Sequence, residues 1–327
     1  MKALVTGCAG FIGSSLVDSL LADGHEVTGI DLLTDNYEPE HKLANLEGAR
    51  ELEAFRFLAL DLAQAPLEAL VEDADVVFHL AAEPGVRSSW GARFESYARN
   101  NVLATQRLLE AAKPWPDKRV VYASSSSVYG DAERLPTPED ALPQPFSPYG
   151  VTKLAAEHLC TLYHRNYGLE TVSLRYFSVY GPRQRPDMAF NRFCGAALRR
   201  EPLVVFGDGE QTRDFTFVAD VVGATRSAAV SPAAPGRIYN VGGGSRASIN
   251  EALDLIVSFA GRPLEVRYLA TERGDVRDTG ADTARARAEL AFNPTTSVEA
   301  GLLAEFEWMR ERERRPSRAR RGRVATG

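Results

Sequence analysis

Short apolar runs alternate, in the first half of the chain, with longer stretches whose apolar positions recur every three or four residues. Residues 2–6, Lys-Ala-Leu-Val-Thr, read as a short buried strand, and an amphipathic helix follows through about Ala22. Further strands are expected at 26–30, 55–60, 75–80, 119–123 and 171–176. Helices are expected at about 94–112 and from Tyr149, after Pro148, to about Tyr167. Strands alternating with helices imply right-handed βαβ units and a parallel sheet. After about residue 177 the pattern changes. Gly, Pro and Arg crowd into Tyr180-Gly-Pro-Arg-Gln-Arg-Pro186 and Phe206-Gly-Asp-Gly209. Residues 214–241 read again as helix plus strand, and helical patterns recur at about 248–260, 283–291 and 297–313. The expected fold class is α/β: a doubly wound parallel sheet with a smaller, mixed α/β substrate-binding lobe.

Composition narrows this picture. With 44% hydrophobic and 25% charged residues, 327 residues suffice for one large two-lobed domain or two ordinary ones. A net charge of −6 argues against a general nucleic-acid or anionic-membrane binder. No apolar run is long enough for a membrane span, and the strand pattern begins at Lys2, so a cytoplasmic protein is expected. Cys8, Cys160 and Cys194 are scattered without CxxC spacing, which suggests a reducing compartment and no metal site. The five histidines have no ligand spacing either, and His79, ending a strand, reads as structural. The last residues carry dense arginine and read as a basic, disordered tail.

Candidate chemistry begins at the first strand–helix junction. Gly7, Gly10 and Gly13, with Phe11 and Ile12 between them, allow a tight turn and close approach of a pyrophosphate to a helix N-terminus. The spacing is GxxGxxG, not the common GxGxxG. Asp31 ends the second strand, 18 residues after Gly13. A carboxylate there accepts hydrogen bonds from adenosine ribose hydroxyls and repels a 2′-phosphate, which favours NAD over NADP and makes the sheet Rossmann-like. Asp61 and Leu62 would border the adenine, and Ala81 follows the fourth strand. Tyr149 and Lys153 are four apart on one helix and so share a face. An ammonium beside a phenol is expected to lower the phenol pKa from about 10 and make it a usable base near neutrality. Chance alone supplies roughly 0.2 such pairs in a chain with 11 Tyr and 5 Lys, so the pair acquires meaning only from its context. Lysine is otherwise so rare here that Lys153 is more informative than usual.

With the glycine loop, Asp31, a serine run before Val128-Tyr129-Gly130, and Tyr149-x-x-x-Lys153, the chain resembles the extended short-chain dehydrogenase/reductases over about residues 1–310. Within them it is similar to the nucleotide-sugar epimerases and dehydratases. The segment Arg175-Tyr-Phe-Ser-Val-Tyr-Gly-Pro-Arg-Gln-Arg-Pro-Asp-Met-Ala189 resembles that of UDP-glucuronate 4-epimerases. The resemblance implies tightly held NAD, a UDP-sugar substrate, a homodimer packed through the helices near 94–112 and 147–167, and a catalytic trio of Ser125, Tyr149 and Lys153. Ser126 and Ser127 stand where resembling dehydratases carry Asp and Glu, which counts against water loss and, less firmly, against decarboxylation. Ser178 and Arg185, with Arg87 as a weaker candidate, would face a substrate carboxylate. Arg213, Arg277 and Arg192 would meet the pyrophosphate, and Asp275 the uridine ribose. Residues 1–176 with about 214–241 would then form the NAD-binding Rossmann domain, 177–213 and 242–312 the UDP-sugar-binding lobe, and 313–327 the tail. The reading is conversion of UDP-glucuronate to UDP-galacturonate through a transient 4-keto sugar. UDP-glucose or UDP-N-acetylglucosamine 4-epimerase, then UDP-glucuronate decarboxylase, and from another class a non-catalytic NAD-binding regulator, are the alternatives.

Overall fold

The computed structural model describes residues 1–271, 274 and 276–314; Asp275 and the tail beyond Arg314 lie outside the described residues. Among the described residues the strands are β1 Lys2–Thr6, β2 Glu26–Asp31, β3 Phe55–Ala59, β4 Val76–His79, β5 Arg119–Ser125, β6 Thr171–Tyr176, β7 Val179–Tyr180, β8 Leu203–Phe206, β9 Thr212–Phe217, β10 Ile238–Val241, β11 Ser245–Ser248 and β12 Val266–Leu269. The helices are α1 Phe11–Ala22, α2 Pro39–Asn45, α3 Glu68–Asp73, α4 Phe94–Tyr97, α5 Ala104–Ala112, α6 Pro148–Tyr167, α7 Ala189–Arg199, α8 Val218–Val230, α9 Ile249–Ala260, α10 Ala284–Leu290 and α11 Val298–Arg314. A π-helical turn, Ala98–Leu103, joins α4 to α5.

Seven strands form one sheet in the order β10-β6-β5-β4-β1-β2-β3, and every neighbouring pair is parallel. The order reverses beside β1, so the carboxyl ends of β1 and β4 open the crevice where such sheets bind ligands. Strand side chains alternate between faces. Ala3 and Val5 of β1 pack with Leu16, Val17 and Leu20 of α1 and Val221 and Val222 of α8. Leu4, between them, packs on the other face with Leu108 and Leu109 of α5 and Ala156 and Cys160 of α6. The expected doubly wound α/β sheet is present.

The second lobe has a three-stranded sheet, β11-β9-β7, and a two-stranded one, β12-β8. β9 pairs antiparallel with β11 and parallel with β7, which makes the lobe mixed. Its core joins Phe190 and Phe193 of α7, Leu253 and Ile256 of α9, and Leu302 and Phe306 of α11. Two expected divisions are corrected. Phe215 of β9, placed by the sequence at the return to the first lobe, belongs to this second core, because β9 finds its partners in β7 and β11. Ala286, Leu290 and Phe292, expected in the second lobe, pack instead into the first, because α10 lies against β10 and α8. Residues 313 and 314 close α11 and do not belong to a tail. Among the described residues no helix is long and apolar enough to cross a membrane.

One buried acid ties α11 to the turn after β7 within the second lobe. Glu305 of α11 is fully buried and its Oε2 accepts the backbone N–H of Gly181 at 2.8 Å. Burial pushes its pKa from 4.5 up to about 8. The folded chain therefore holds a proton that the unfolded chain has released, and the stability this confers is complete below about 4.5 and lost as pH rises through about 8. Glu305→Gln should keep the bond to Gly181 and remove a slope of about 1.4 kcal/mol per pH unit across that window. Urea unfolding at several pH values checks this; equal slopes in both proteins would refute it.

Candidate active site

The serine run, the start of α6 and the glycine loop converge at the carboxyl end of the sheet. α6 begins where Ser147 caps it, its Oγ accepting the N–H of Gly150 at 3.1 Å, with Pro148 at the first helical position. A Cβ on Gly150 would lie 2.4 Å from the carbonyl oxygen of Ser127, so only glycine lets the serine turn press against the first turn of α6. That contact sets Ser125 beside Tyr149. Ser125 stands close enough to Tyr149 to lower its pKa, and the Ser125 oxygen accepts the N–H of Ser127 at 3.1 Å. Ser126 and Ser127 are half-buried in the same turn. Tyr97 packs edge-on to Tyr149, with ring centroids 6.3 Å apart.

Lys153, one helical turn on, is buried with its ammonium 4.7 Å from the Tyr122 ring centroid. Burial lowers its pKa to about 7, although Glu157 acts in the opposite direction. The Tyr149 pKa is raised, by burial first; the Ser125 hydrogen bond and the Arg185 charge pull it back. Burial thus pushes Tyr149 and Lys153 each toward its neutral form, and the Arg185 charge favours the Tyr149 phenolate.

A charged network lies beneath these groups. Arg175 of β6 forks onto Glu157 of α6, with Nε to Oε2 at 3.0 Å and Nη2 to Oε1 at 2.6 Å, both residues fully buried. Ser124 donates to Glu157 at 2.7 Å, Arg175 donates to the Tyr129 hydroxyl at 2.7 Å, and Tyr129 donates to Asn240 of β10 at 2.7 Å.

All the residues expected to hold a cofactor line one cleft: Gly7, Gly10, Phe11, Ile12, Gly13, Asp31, Asp61, Leu62, Ala81, Tyr149 and Lys153. A Cβ on Gly13 would lie 2.1 Å from the carbonyl oxygen of Gly7, so the loop closes onto α1 only with glycine there. Asp31 takes the N–H of Leu33 at 2.8 Å and of Ala9 at 3.1 Å, and burial raises its pKa. Asp61 pairs with Arg99. His79 is buried between Thr6 at 2.7 Å and Thr105 at 2.9 Å, and burial lowers its pKa to about 3, so it is neutral and structural. A glycine cradle, an acid at the end of β2 and a buried lysine in one cleft fit a dinucleotide without a 2′-phosphate.

Sequence reasoning missed two groups here. Lys42 of α2 is buried on the cleft wall and donates to the Thr34 carbonyl at 2.7 Å; its charge offsets that of Asp31. Its signal was the rarity of lysine. Asn101, in the π turn, accepts the N–H of Glu83 at 2.6 Å and donates to Thr152 of α6 at 2.9 Å. A π turn breaks the 3.6-residue pattern, so nothing in the periodicity marks it.

A second cavity adjoins the cleft and is lined by Arg87, Ser178, Arg185, Arg192 and Arg213, with Phe206 and Gln211 added by the structure. Arg185 belongs to both cavities. Arg87 and Arg192 lie over the Phe206 ring, 4.3 and 5.5 Å from its centroid. Ser178 has φ of +23°, strained for a residue with a Cβ. Arg213 donates to the carbonyls of Arg277 at 2.8 Å and Val276 at 2.7 Å. Arg277 is not brought to the cavity: its guanidinium is exposed and pairs with Asp208 at 3.4 Å. The site expected of Asp275 lies outside the described residues.

A parallel sheet with a glycine turn at β1 and a serine–tyrosine–lysine arrangement beside it defines an extended short-chain dehydrogenase/reductase. The chain belongs to the NAD dependent epimerase/dehydratase family, whose model matches residues 3–242. It is 43% identical to UDP-glucuronic acid 4-epimerase from Bacillus cereus, crystallised with UDP-glucuronic acid and NAD; the match covers 95% of this chain and 99% of that one, with a TM-score of 0.92. It is 38% identical to the UDP-glucuronate 4-epimerase of Thermodesulfobacterium geofontis, across 94% of this chain and 96% of the relative. It is 44% identical to a Bacillus subtilis protein named an uncharacterized UDP-glucose epimerase, across 94% and 98%.

The buried pair under the site should be costly to break. Arg175→Met leaves Glu157 without its partner, and a loss of about 3–5 kcal/mol is expected. Equilibrium urea unfolding measures it, and a loss below about 1 kcal/mol would show that the pair is not a structural constraint.

Proposed function

We propose that this chain is an NAD-dependent 4-epimerase of a UDP-sugar, converting UDP-glucuronate to UDP-galacturonate. The observation that carries the reading is Arg185: it opens into both cavities and its charge reaches Tyr149, so one cation stands between the proton-transfer group and the sugar pocket. The Bacillus cereus enzyme, bound to UDP-glucuronic acid and NAD, supports the substrate choice. The name of the Bacillus subtilis relative makes UDP-glucose the second candidate.

A bound nicotinamide supplies hydride chemistry at the sugar C4. The chain's own side chains do the rest. Tyr149, in the phenolate form that the Arg185 charge favours, takes the proton of the sugar O4 through the adjacent Ser125 hydroxyl. Lys153 faces the cofactor cleft and holds the ribose beside the nicotinamide. Asp31 takes the adenosine ribose, and Lys42 offsets its charge. Ser126 and Ser127 present hydroxyls where elimination needs an acid and a base, so the sugar keeps its oxygen. Arg185 and Ser178 face the C6 carboxylate, and holding it by fixed hydrogen bonds out of conjugation with the ketone suppresses loss of CO₂. Arg213 and Arg192 take the pyrophosphate end of the substrate, and Arg87, which shares the Phe206 ring with Arg192, is assigned to that end rather than to the carboxylate first expected of it. Arg277, paired with Asp208 at the surface, is left out of this set.

NMR of the protein with UDP-glucuronate should show galacturonate signals growing to equilibrium, and Tyr149→Phe should slow the rate at least about a thousandfold while UDP-glucuronate still binds. Absence of C4 inversion with any UDP-sugar would reject the epimerase reading; pentose signals would favour a decarboxylase.

We also infer a homodimer through the outer faces of the π turn, α5 and α6, where Leu103, Val151, Leu162 and Tyr167 expose 44%, 50%, 51% and 52% of their surface. Sedimentation should give twice the chain mass, and Leu162→Arg should shift the population toward single chains; a monomeric parent protein would refute it. We place the enzyme in the cytoplasm, where its three free, buried cysteines stay reduced.

A further inference from the structure

Arg185 does not enter the sugar pocket as a loose side chain. It forks onto Asp187, two residues on, with Nε to Oδ1 at 3.0 Å and Nη2 to Oδ2 at 2.9 Å. That is the side-on edge of the guanidinium. A guanidinium carries five N–H donors in one plane, and two parallel bonds on the Nε/Nη2 edge leave the Nη1/Nη2 edge to meet a second carboxylate. The side chain of Arg185 is 20% exposed and that of Asp187 57%. Asp187 thus holds the guanidinium from the wet side while Arg185 reaches inward, where its charge acts on Tyr149 and Tyr37.

The turn that carries the pair is fixed without Asp187. Gln184 Oε1 accepts the N–H of Asn191 at 2.9 Å, Asn191 Nδ2 donates to the Gln184 carbonyl at 2.7 Å, and Gln184 Nε2 donates to the Val179 carbonyl at 3.2 Å. The N–H of Met188 donates to the Arg185 carbonyl at 3.1 Å. With the backbone so stapled, the side-chain partner that the Asp187 carboxylate bonds is Arg185, and the Arg192 charge acts on it from further off. Both residues line the sugar pocket, together with Ser178.

We propose that Asp187 is a positioning residue for substrate selection: it clamps one edge of Arg185 so that the other edge is preset for the carboxylate of a uronate. The inference rests on the uronate reading given above. A neutral hexose brings no carboxylate to that edge and gains nothing from the clamp. A uronate gains a two-bond contact whose orientation is settled before it arrives, which lowers the cost of ordering a long side chain on binding. The opposite role, a carboxylate that occupies Arg185 until the substrate displaces it, predicts the opposite sign.

Calorimetry on the NAD-loaded protein tests this through binding alone. The probes are UDP-glucuronate and UDP-glucose, and the quantity read is the ratio of their dissociation constants. In Asp187→Asn that ratio should move against the uronate by about tenfold, the worth of one oriented charge-assisted contact. In an Arg185→Lys background, where no fork exists to be oriented, the same substitution should move the ratio less than about twofold. Asp187→Glu should recover part of the preference. An unmoved ratio in Asp187→Asn, or an equal shift in the Arg185→Lys background, would overturn the positioning role, as would tighter uronate binding in Asp187→Asn. If the parent protein itself shows no preference for UDP-glucuronate, the uronate reading fails and this inference with it.

Discussion

The site depends on one buried ion pair. Glu157 and Arg175 are withdrawn from water together, and further partners offset the cost of that. Those partners come from three separate pieces of chain: Ser124 at the end of β5, Tyr129 after the serine turn, which itself donates to Asn240 on β10, and the carbonyl of Glu139. A helix that slid along the sheet by one turn would pull Glu157 away from both Arg175 and Ser124. α6 is therefore held in one register, and Tyr149 and Lys153, two turns and one turn nearer its start, inherit that register. Ser125 is adjacent to Ser124 and inherits it from the strand side. The network takes no part in proton transfer, but it aligns the groups that do.

Burial then sets the charges on those groups, and it acts in opposite senses on the two. It raises the Tyr149 pKa and lowers that of Lys153, so both are pushed toward their neutral forms. The familiar picture of an ammonium that ionises a neighbouring tyrosine is too simple for this arrangement. The permanently charged group is Arg185, which cannot be neutralised by burial and which stands on the substrate side. Proton transfer and substrate recognition are in this way joined through one guanidinium. The joining makes the tyrosine's acidity responsive to what Arg185 is bonded to.

Much of this was legible in the chain. The parallel sheet followed from short apolar runs alternating with helical patterns, and the cofactor cleft followed from three glycines and an acid at the end of the next strand. Those features depend on local sequence, because a strand–turn–helix places its own residues. The second lobe was harder. β9 and α10 were assigned to the wrong cores because their short patterns say only that one face is apolar, not which partner covers it. Arg277 was expected at the pocket and lies on the surface with Asp208, since an arginine in a polar loop has no periodicity to aim it. Lys42 and Asn101 were missed for a related reason: one acts across the gap between α2 and β2, the other through a π turn. Asp187 was invisible as a partner of Arg185, because two residues of spacing in an irregular turn implies no geometry. Contacts within one βαβ unit can be read from a sequence; contacts between units must be seen.

The place of β10 has a consequence for how the protein is made. It is the edge strand next to β6, yet it comes 62 residues after the end of β6, once most of the second lobe's strands have been laid down. Asn240 is the group that receives Tyr129 and so completes the buried network. A nascent chain that has just emerged through β6 already contains Glu157 and Arg175, but it lacks the strand that covers them. Tyr129 therefore lacks its acceptor until nearly three-quarters of the molecule has been synthesised. The edge of the first lobe's sheet is completed only after three of the second lobe's strands have been made.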